Sequence, residues 1–288
     1  MLFRRAFLLA PAAAVLRGQG RRPHMFGDAE AYERFMGRWS RLAAPRLVDF
    51  TGLPERGRML DAGSGTGSLA FAIAESRREA RVLGIDPSQE YVEYARSKNP
   101  FPERASFEAG DAQRLRFADG SFDATLSLLV FNFIPDAKKA LAEVRRVTRP
   151  GGKISAAVWD YGEGMRMLRT FWDAAVRIDP GAEKLDEKGM PLCRAGELAA
   201  LWRAGGLEDV REQAIEIRTR FGNFADYWDP FLLGQGPAGA YVRGLERGKV
   251  QALRDEVKHG LGVEDEEDAP IDLPARVWAV RGVVSRTG

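Results

Sequence analysis

The sequence predicts an α/β protein built on a doubly wound, mostly parallel sheet. Three observations predict it. Short apolar segments and amphipathic segments alternate from residue 58 to residue 159. Three glycines in five positions stand directly behind the first apolar segment. An acidic residue closes the second apolar segment, about 20 residues further on. Alternation at this spacing calls for parallel strands joined by right-handed helical crossovers.

The elements follow in order. Tyr32, Phe35, Met36, Trp39, Leu42 and Ala43 recur at helical spacing in residues 29–47. That helix either packs on the core or lies as a lid over a cleft. Residues 58–62 read as the first buried strand, and residues 68–77, rich in Ala and Leu, as the helix behind it. Residues 80–86 are the second strand. Residues 88–98 form the next helix, with Ser88 as N-cap and Pro100 past its end. Residues 105–110 and 122–129 are the third and fourth strands. An amphipathic helix at 136–147 stops at a turn, Pro150-Gly151-Gly152, before a fifth strand at 153–159. The remainder is less regular. Helices are expected at 164–178, 196–204, 223–232 and 239–259. Alternation of Ile with charged residues predicts a long strand at 210–221, and residues 276–284 read as a final strand. The acidic run 264–268 reads as a solvated loop.

Composition narrows the function classes. The 288 residues are 45% apolar and 29% charged, ordinary for a globular chain with a core. The net charge is +2, but Arg4, Arg5, Arg17, Arg21 and Arg22 fall in the first 24 residues without a single acid. The rest is mildly acidic, so no electrostatic case exists for a nucleic-acid partner. One cysteine, Cys193, excludes an intramolecular disulfide and reads as a small structural residue. His24 and His259 have no neighbours at ligand spacing, so no metal is expected. Residues 1–24 place a twin arginine before a short apolar run and Ala12-Ala13-Ala14, like an export leader. The run is too short to span a membrane, and Pro11 interrupts it. The competing reading is a misassigned start, with Met25 as the first residue. Residues 25–288 are then a single domain, with a cofactor-binding core at 50–160 and a helical cap and C-terminal sheet part at 161–288.

The sharpest local signal is Asp61-Ala62-Gly63-Ser64-Gly65-Thr66-Gly67, between a strand and a helix. Glycines let a backbone turn sharply and come within van der Waals reach of a ligand, and the helix behind offers free N–H groups. A pyrophosphate-binding loop would have its third glycine at the position of Ser68, one residue later. Asp61 also adds negative charge beside the loop, which suits a ligand with a cationic end. Asp86, in Gly84-Ile85-Asp86-Pro87, can accept both hydroxyls of a ribose. Asp111, in Gly110-Asp111-Ala112-Gln113, can reach an exocyclic amine such as that of adenine. It would serve equally as a local cap, just as a glycine loop alone is more often a plain turn.

Taken together, these segments resemble the class I S-adenosylmethionine-dependent methyltransferases, in the group that holds the ubiquinone and menaquinone C-methyltransferases. The matching pieces are residues 60–67, 84–88, 110–112, 120–123 and 149–152, five in order and at the right spacing. The resemblance implies a seven-stranded Rossmann-like sheet with an antiparallel last strand, helical cap insertions, and S-adenosyl-L-methionine as cofactor. It implies that Asp61, Gly63, Ser64, Gly65 and Gly67 lie under the amino-acid half of that cofactor. Asp86 and Pro87 lie at the ribose, Asp111 and Ala112 at the adenine, and Ser127 and Leu128 near the methionine portion and the acceptor. Ser64 stands where many relatives have Cys. A cofactor made and kept in the cytoplasm implies a cytoplasmic protein.

No side chain declares itself as a general base. Tyr32, Asn132, Asp160 and Tyr161 are candidates for the acceptor site, each with a structural alternative. The aromatics from Trp172 to Tyr241 read either as the core of the cap or as a pocket for an apolar or ring-bearing small molecule. Two other classes compete. An NAD(P)-dependent Rossmann oxidoreductase is opposed by the glycine spacing and Asp61. A non-catalytic binding protein on a degenerate methyltransferase fold is opposed by the intact loop and its acids.

Overall fold

The computed structural model describes residues 28–286, so the leader-like stretch and Met25 lie outside the described residues. Seven strands form one sheet: β1 Arg56–Ala62, β2 Glu79–Asp86, β3 Ala105–Ala109, β4 Phe122–Leu128, β5 Thr148–Trp159, β6 Leu207–Phe221 and β7 Ile271–Val284. Their order is β3-β2-β1-β4-β5-β7-β6. The first five run parallel, and β7 lies antiparallel between β5 and β6. This is the expected doubly wound, mostly parallel sheet with an antiparallel last strand.

Handedness places the helices. From β1 the chain steps outward through α3 (Ser68–Ser76) to β2, and through α4 (Gln89–Ser97) to β3. From β4 it steps the opposite way through α5 (Ala137–Val147) to β5. Right-handed crossovers in opposite directions cover opposite faces of the sheet. Met59, Leu60, Ala124, Leu126, Ala156 and Val158 are therefore buried in the central strands. The order reverses between β1 and β4, and a crevice opens there at the carboxyl ends of the strands.

Several elements differ from the sequence expectation. The first helix is not continuous: α1 (Ala29–Tyr32) passes through a π-helical turn, Glu33–Gly37, into α2 (Arg38–Thr51). Pro150-Gly151-Gly152 does not precede the fifth strand but bulges within it. Phe122 faces Thr148, whereas Ala124 faces Lys153. Proline supplies no N–H to the ladder and Gly151 takes φ 76°, so the extra residues loop out without ending the strand. The helix expected at 239–259 breaks at Gly244 into α9 (Gly236–Arg243) and α10 (Arg247–Leu261). Residues 180–189, which carried no periodic signal, form two short 3-10 turns capped by the Asp179 and Asp186 carboxylates.

The second half builds a helical cap from α6 (Arg166–Ile178), α8 (Phe224–Leu232), α9 and α10, while α7 (Glu197–Ala204) packs against β6 and β7. Phe171 stacks on Phe231 at 4.4 Å, and the Tyr227 hydroxyl donates to the Met167 carbonyl at 2.7 Å. Trp202 sends its indole N–H to the Ile154 carbonyl of β5 at 3.1 Å. Apart from Trp202, which packs against the sheet, the aromatics between Trp172 and Tyr241 thus form the core of the cap. The alternative reading, that they line a pocket, is corrected: none of them borders the cleft described below. No helix among the described residues is long and apolar enough to cross a membrane.

Candidate functional site

A cleft of about 560 Å³ lies over the carboxyl ends of β1, β2 and β4. One wall is the glycine loop. Gly63 and Ser64 each donate a backbone N–H to the Ile85 carbonyl, both at 2.8 Å, which ties the loop to the end of β2. Gly63 has φ 83°, and a Cβ there would come within 2.6 Å of the Val130 side chain. Gly65 has φ 50° and open space where a side chain would stand, so the backbone itself faces the cleft. Gly67 caps α3 beneath Phe71 and Phe107 and does not border the cleft.

The acids converge on this loop. Asp61 is fully buried; its Oδ2 accepts the Ala70 N–H at 3.0 Å, and its Oδ1 has no partner. Burial pushes its carboxyl up to about 8, with the Ala70 bond opposing and the nearby Asp86 charge reinforcing. Asp86 accepts Gly65 N–H at Oδ2 and Ser88 N–H at Oδ1, both at 2.9 Å. Burial also raises its carboxyl, against those two bonds. Asp111 is exposed and accepts the Gln113 backbone N–H at 2.8 Å, the local turn that the sequence allowed. Asp61, Asp86 and Asp111 all border one cleft, together with Ser64, Pro87, Ala112 and Leu128. Ser127 does not: its hydroxyl donates to the Ala62 carbonyl at 2.7 Å and pins β4 to β1.

Other residues complete the walls. Tyr32, Phe35 and Met36 project into the cleft from the first helix, while Ala43, Ala44, Leu47 and Val48 bury its other end. That helix therefore packs on the core at one end and lines the cleft at the other. It is fastened over the loop by Thr66 Oγ1, which donates to Glu33 at 2.5 Å, and over α4 by Ala29 N–H, which donates to Glu90 at 3.0 Å. Tyr32 sits 5.5 Å from the Tyr91 ring and shares a 3.1 Å hydrogen bond with Ser40; burial pushes its hydroxyl up to about 12. Leu129, just past β4, holds φ 63° on the cleft wall, a strained conformation for a branched side chain. Of the four acceptor-site candidates, Tyr32 and Tyr161 border the cleft. Asn132 and Asp160 do not, and Asp160 instead pairs with Arg276 at 3.3 Å. Glu187 and Gln235, which sequence reasoning did not single out, border it as well.

The residues fit an adenosyl-sulfonium compound. Such a ligand carries a cationic end, and Asp61 offers it a buried oxygen with no partner. The bare bend at Gly65 leaves room for close approach. Comparison with known proteins agrees. A family model for a methyltransferase domain matches residues 60–156. A demethylmenaquinone methyltransferase from Renibacterium salmoninarum is 36% identical over 124 residues, 43% of this chain and 48% of that protein. A ubiquinone/menaquinone biosynthesis C-methyltransferase from a Geobacter species is 37% identical over 122 residues, 41% of this chain and 50% of that protein. The match thus spans about half the length of these relatives. Among solved structures, phosphoethanolamine N-methyltransferase 2 of Haemonchus contortus, in complex with S-adenosyl-L-methionine, aligns with a TM-score of 0.54 at 18% identity. The alignment covers 89% of this chain and 56% of that one, a likeness of fold. Residues 60–156 are therefore a methyltransferase domain of the S-adenosylmethionine-dependent class that the five motifs resemble.

Proposed function

We propose that this chain transfers a methyl group from S-adenosylmethionine to a small molecule that is apolar or ring-bearing. The observation that carries the reading is one continuous cleft. Three carboxylates and a side-chain-free bend line it, and so do the rings of Phe35, Phe133, Trp159 and Tyr161. A donor on the carboxylates and a flat acceptor against these rings would meet inside it.

The sulfonium supplies a methyl group that is already electrophilic, so the chain needs no nucleophile of its own. Its residues bind and orient. Asp61 and the bare bend at Gly65 hold the amino-acid end, Asp86 the ribose, and Asp111 with Ala112 the adenine. The first helix closes over the cleft and keeps water out. Holding two reactants aligned and dry is worth several kcal/mol, on the order of 7–11 at best.

Asp61 makes the reading testable. With its carboxyl near 8, most of it holds a proton at neutral pH in the free protein. A cation placed beside it favours the ionised form and drives its pKa down through 7, so the proton leaves. Binding of S-adenosylmethionine at about pH 7 is expected to release close to one proton. Adenosine, which lacks the cationic end, is expected to release far less. Calorimetry in two buffers of different ionisation enthalpy reads the count directly. Equal proton release by both ligands, or release that persists in Asp61→Asn, would remove Asp61 from the site.

A further inference from the structure

The cleft wall holds polar side chains that the fold leaves incompletely bonded. Glu187 is 5% exposed and borders the cleft. Its Oε2 accepts the Trp172 indole N–H at 2.8 Å, and no hydrogen bond from the described residues engages its Oε1. Gln235, 4% exposed, borders the same cleft, and its Oε1 is buried and unpartnered. Tyr161 borders the cleft too and lies within electrostatic reach of Glu187. The neighbouring wall of Phe35, Met36, Phe133, Trp159 and Leu168 is apolar. A buried acceptor left without a donor costs about 1–3 kcal/mol. Gln235 Oε1 is such an oxygen, and beside this apolar wall the unbonded Glu187 Oε1 points to a ligand that brings a donor.

The chain holds Glu187 there by a built fastening. Arg169 of α6 grips Asp186 with two bonds of 2.8 Å, and the Asp186 carboxylate caps the turn Glu187–Gly189 through the Lys188 N–H. Trp172, also on α6, fixes the Glu187 carboxylate itself. A neutral amide would satisfy that indole equally well, so the fold alone gives no reason for an acid.

The surroundings tune it. Burial raises the Glu187 carboxyl to about 7; the Trp172 bond and Arg169 oppose this, and Asp186 adds to it. Tyr161 and Cys193 face it from the remaining sides, both neutral because their own groups are pushed up by burial. Lys188 points to Glu183 and Asp186. A carboxyl poised near neutrality can take a proton and return it.

We propose that Glu187 takes the proton from a hydroxyl group on the methyl acceptor, which makes the acceptor a ring-bearing molecule with a phenolic or enolic O–H. This rests on the methyl-transfer reading. The acceptor O–H bond breaks and its proton goes to Glu187 Oε1. An oxygen electron pair forms the new C–O bond, while the donor S–CH3 bond breaks and leaves its pair on sulfur. Glu187 then releases its proton to solvent.

Two probes of one shape test this, 1-naphthol and 1-methoxynaphthalene, titrated calorimetrically into the full chain with S-adenosylhomocysteine bound. At about pH 8.5 Glu187 is ionised and only accepts, so 1-naphthol is expected to bind roughly tenfold or more tightly than its ether. At about pH 5.5 Glu187 carries a proton and can donate to the ether, and the preference should shrink below about threefold. In Glu187→Gln the amide oxygen keeps the Trp172 bond and turns an N–H into the cleft, so the preference should be lost at both pH values. Unchanged S-adenosylhomocysteine affinity reports that the variant is folded. If it is not, the pH comparison on the native chain decides. A preference that survives in Glu187→Gln, a native preference indifferent to pH, or no binding of 1-naphthol overturns the proposal. Failure of S-adenosylhomocysteine to bind the native chain overturns the donor reading instead.

Discussion

Alanine at position 86 is expected to weaken S-adenosylmethionine binding by at least about tenfold, or ~1.4 kcal/mol, in calorimetry. Asp86 does two things at once. Its oxygens accept the Gly65 and Ser88 N–H groups, which shape the tip of the loop and the start of α4. Each oxygen keeps a further lone pair for a ribose hydroxyl. Alanine removes all of these acceptors and leaves the Gly65 N–H without its partner. Asp86→Asn separates the roles, because its amide oxygen keeps one of the two backbone bonds. The expected order of affinity is wild type, then Asn, then Ala, with the thermal midpoint of the ligand-free Asn variant close to wild type. The Asp86 charge is also one of the influences that raise Asp61. Without it Asp61 titrates lower, and the proton release on binding at neutral pH should shrink. Equal affinity in all three proteins would withdraw the ribose assignment.

The acids and the glycine bend of the cleft were legible because they lie in contiguous residues. Asp61 to Gly67 run from the end of β1 through one loop, and Asp86 and Asp111 each end a strand or follow one. In a parallel sheet that geometry delivers all three acids to one edge. Finer assignments failed where adjacent residues on a strand part company. β4 is buried on both faces, so periodicity could not tell Ser127, which turns to Ala62, from Leu128, which borders the cleft. Gly67 looked equivalent to Gly63 and Gly65, yet it serves as the cap of α3. The acceptor half was hardly legible. Glu187 reads as a surface acid in a polar stretch, and only contacts from Arg169 and Trp172, 15 to 17 residues away, bury that segment. The aromatic-rich tract from Trp172 to Tyr241 drew attention for its composition, but composition cannot separate a cap's own core from a ligand wall. The aromatics on the wall come from scattered segments instead: Tyr32 and Phe35 from the first helix, then Tyr91, Phe133, Trp159 and Tyr161.

Arg169→Met should produce the largest loss of stability of any single change discussed, about 3 kcal/mol. The Arg169 and Asp186 side chains are 6% and 2% exposed, so neither charge has water to fall back on. Methionine fills much of the arginine's volume, which keeps the cavity contribution small and isolates the charge. What remains for Asp186 is Lys188 at 3.6 Å and the backbone N–H of the same residue, too little to solvate a carboxylate. A chain of this length loses about 2–4 °C per kcal/mol, so the thermal midpoint should fall by roughly 6–12 °C. Removing both charges, as Arg169→Met with Asp186→Leu, should recover most of that loss, because a buried pair replaced by apolar groups of similar volume is often neutral or better. If the double variant is no more stable than the single one, the arginine acts through packing and its bond to the Tyr161 carbonyl rather than through Asp186. The same pair of variants separates stability from chemistry. Asp186 caps the turn that presents Glu187, so the double variant should recover its midpoint while still losing discrimination between 1-naphthol and its ether. An apolar substitute can restore the packing of that turn, but it cannot hold the carboxylate of Glu187 in place.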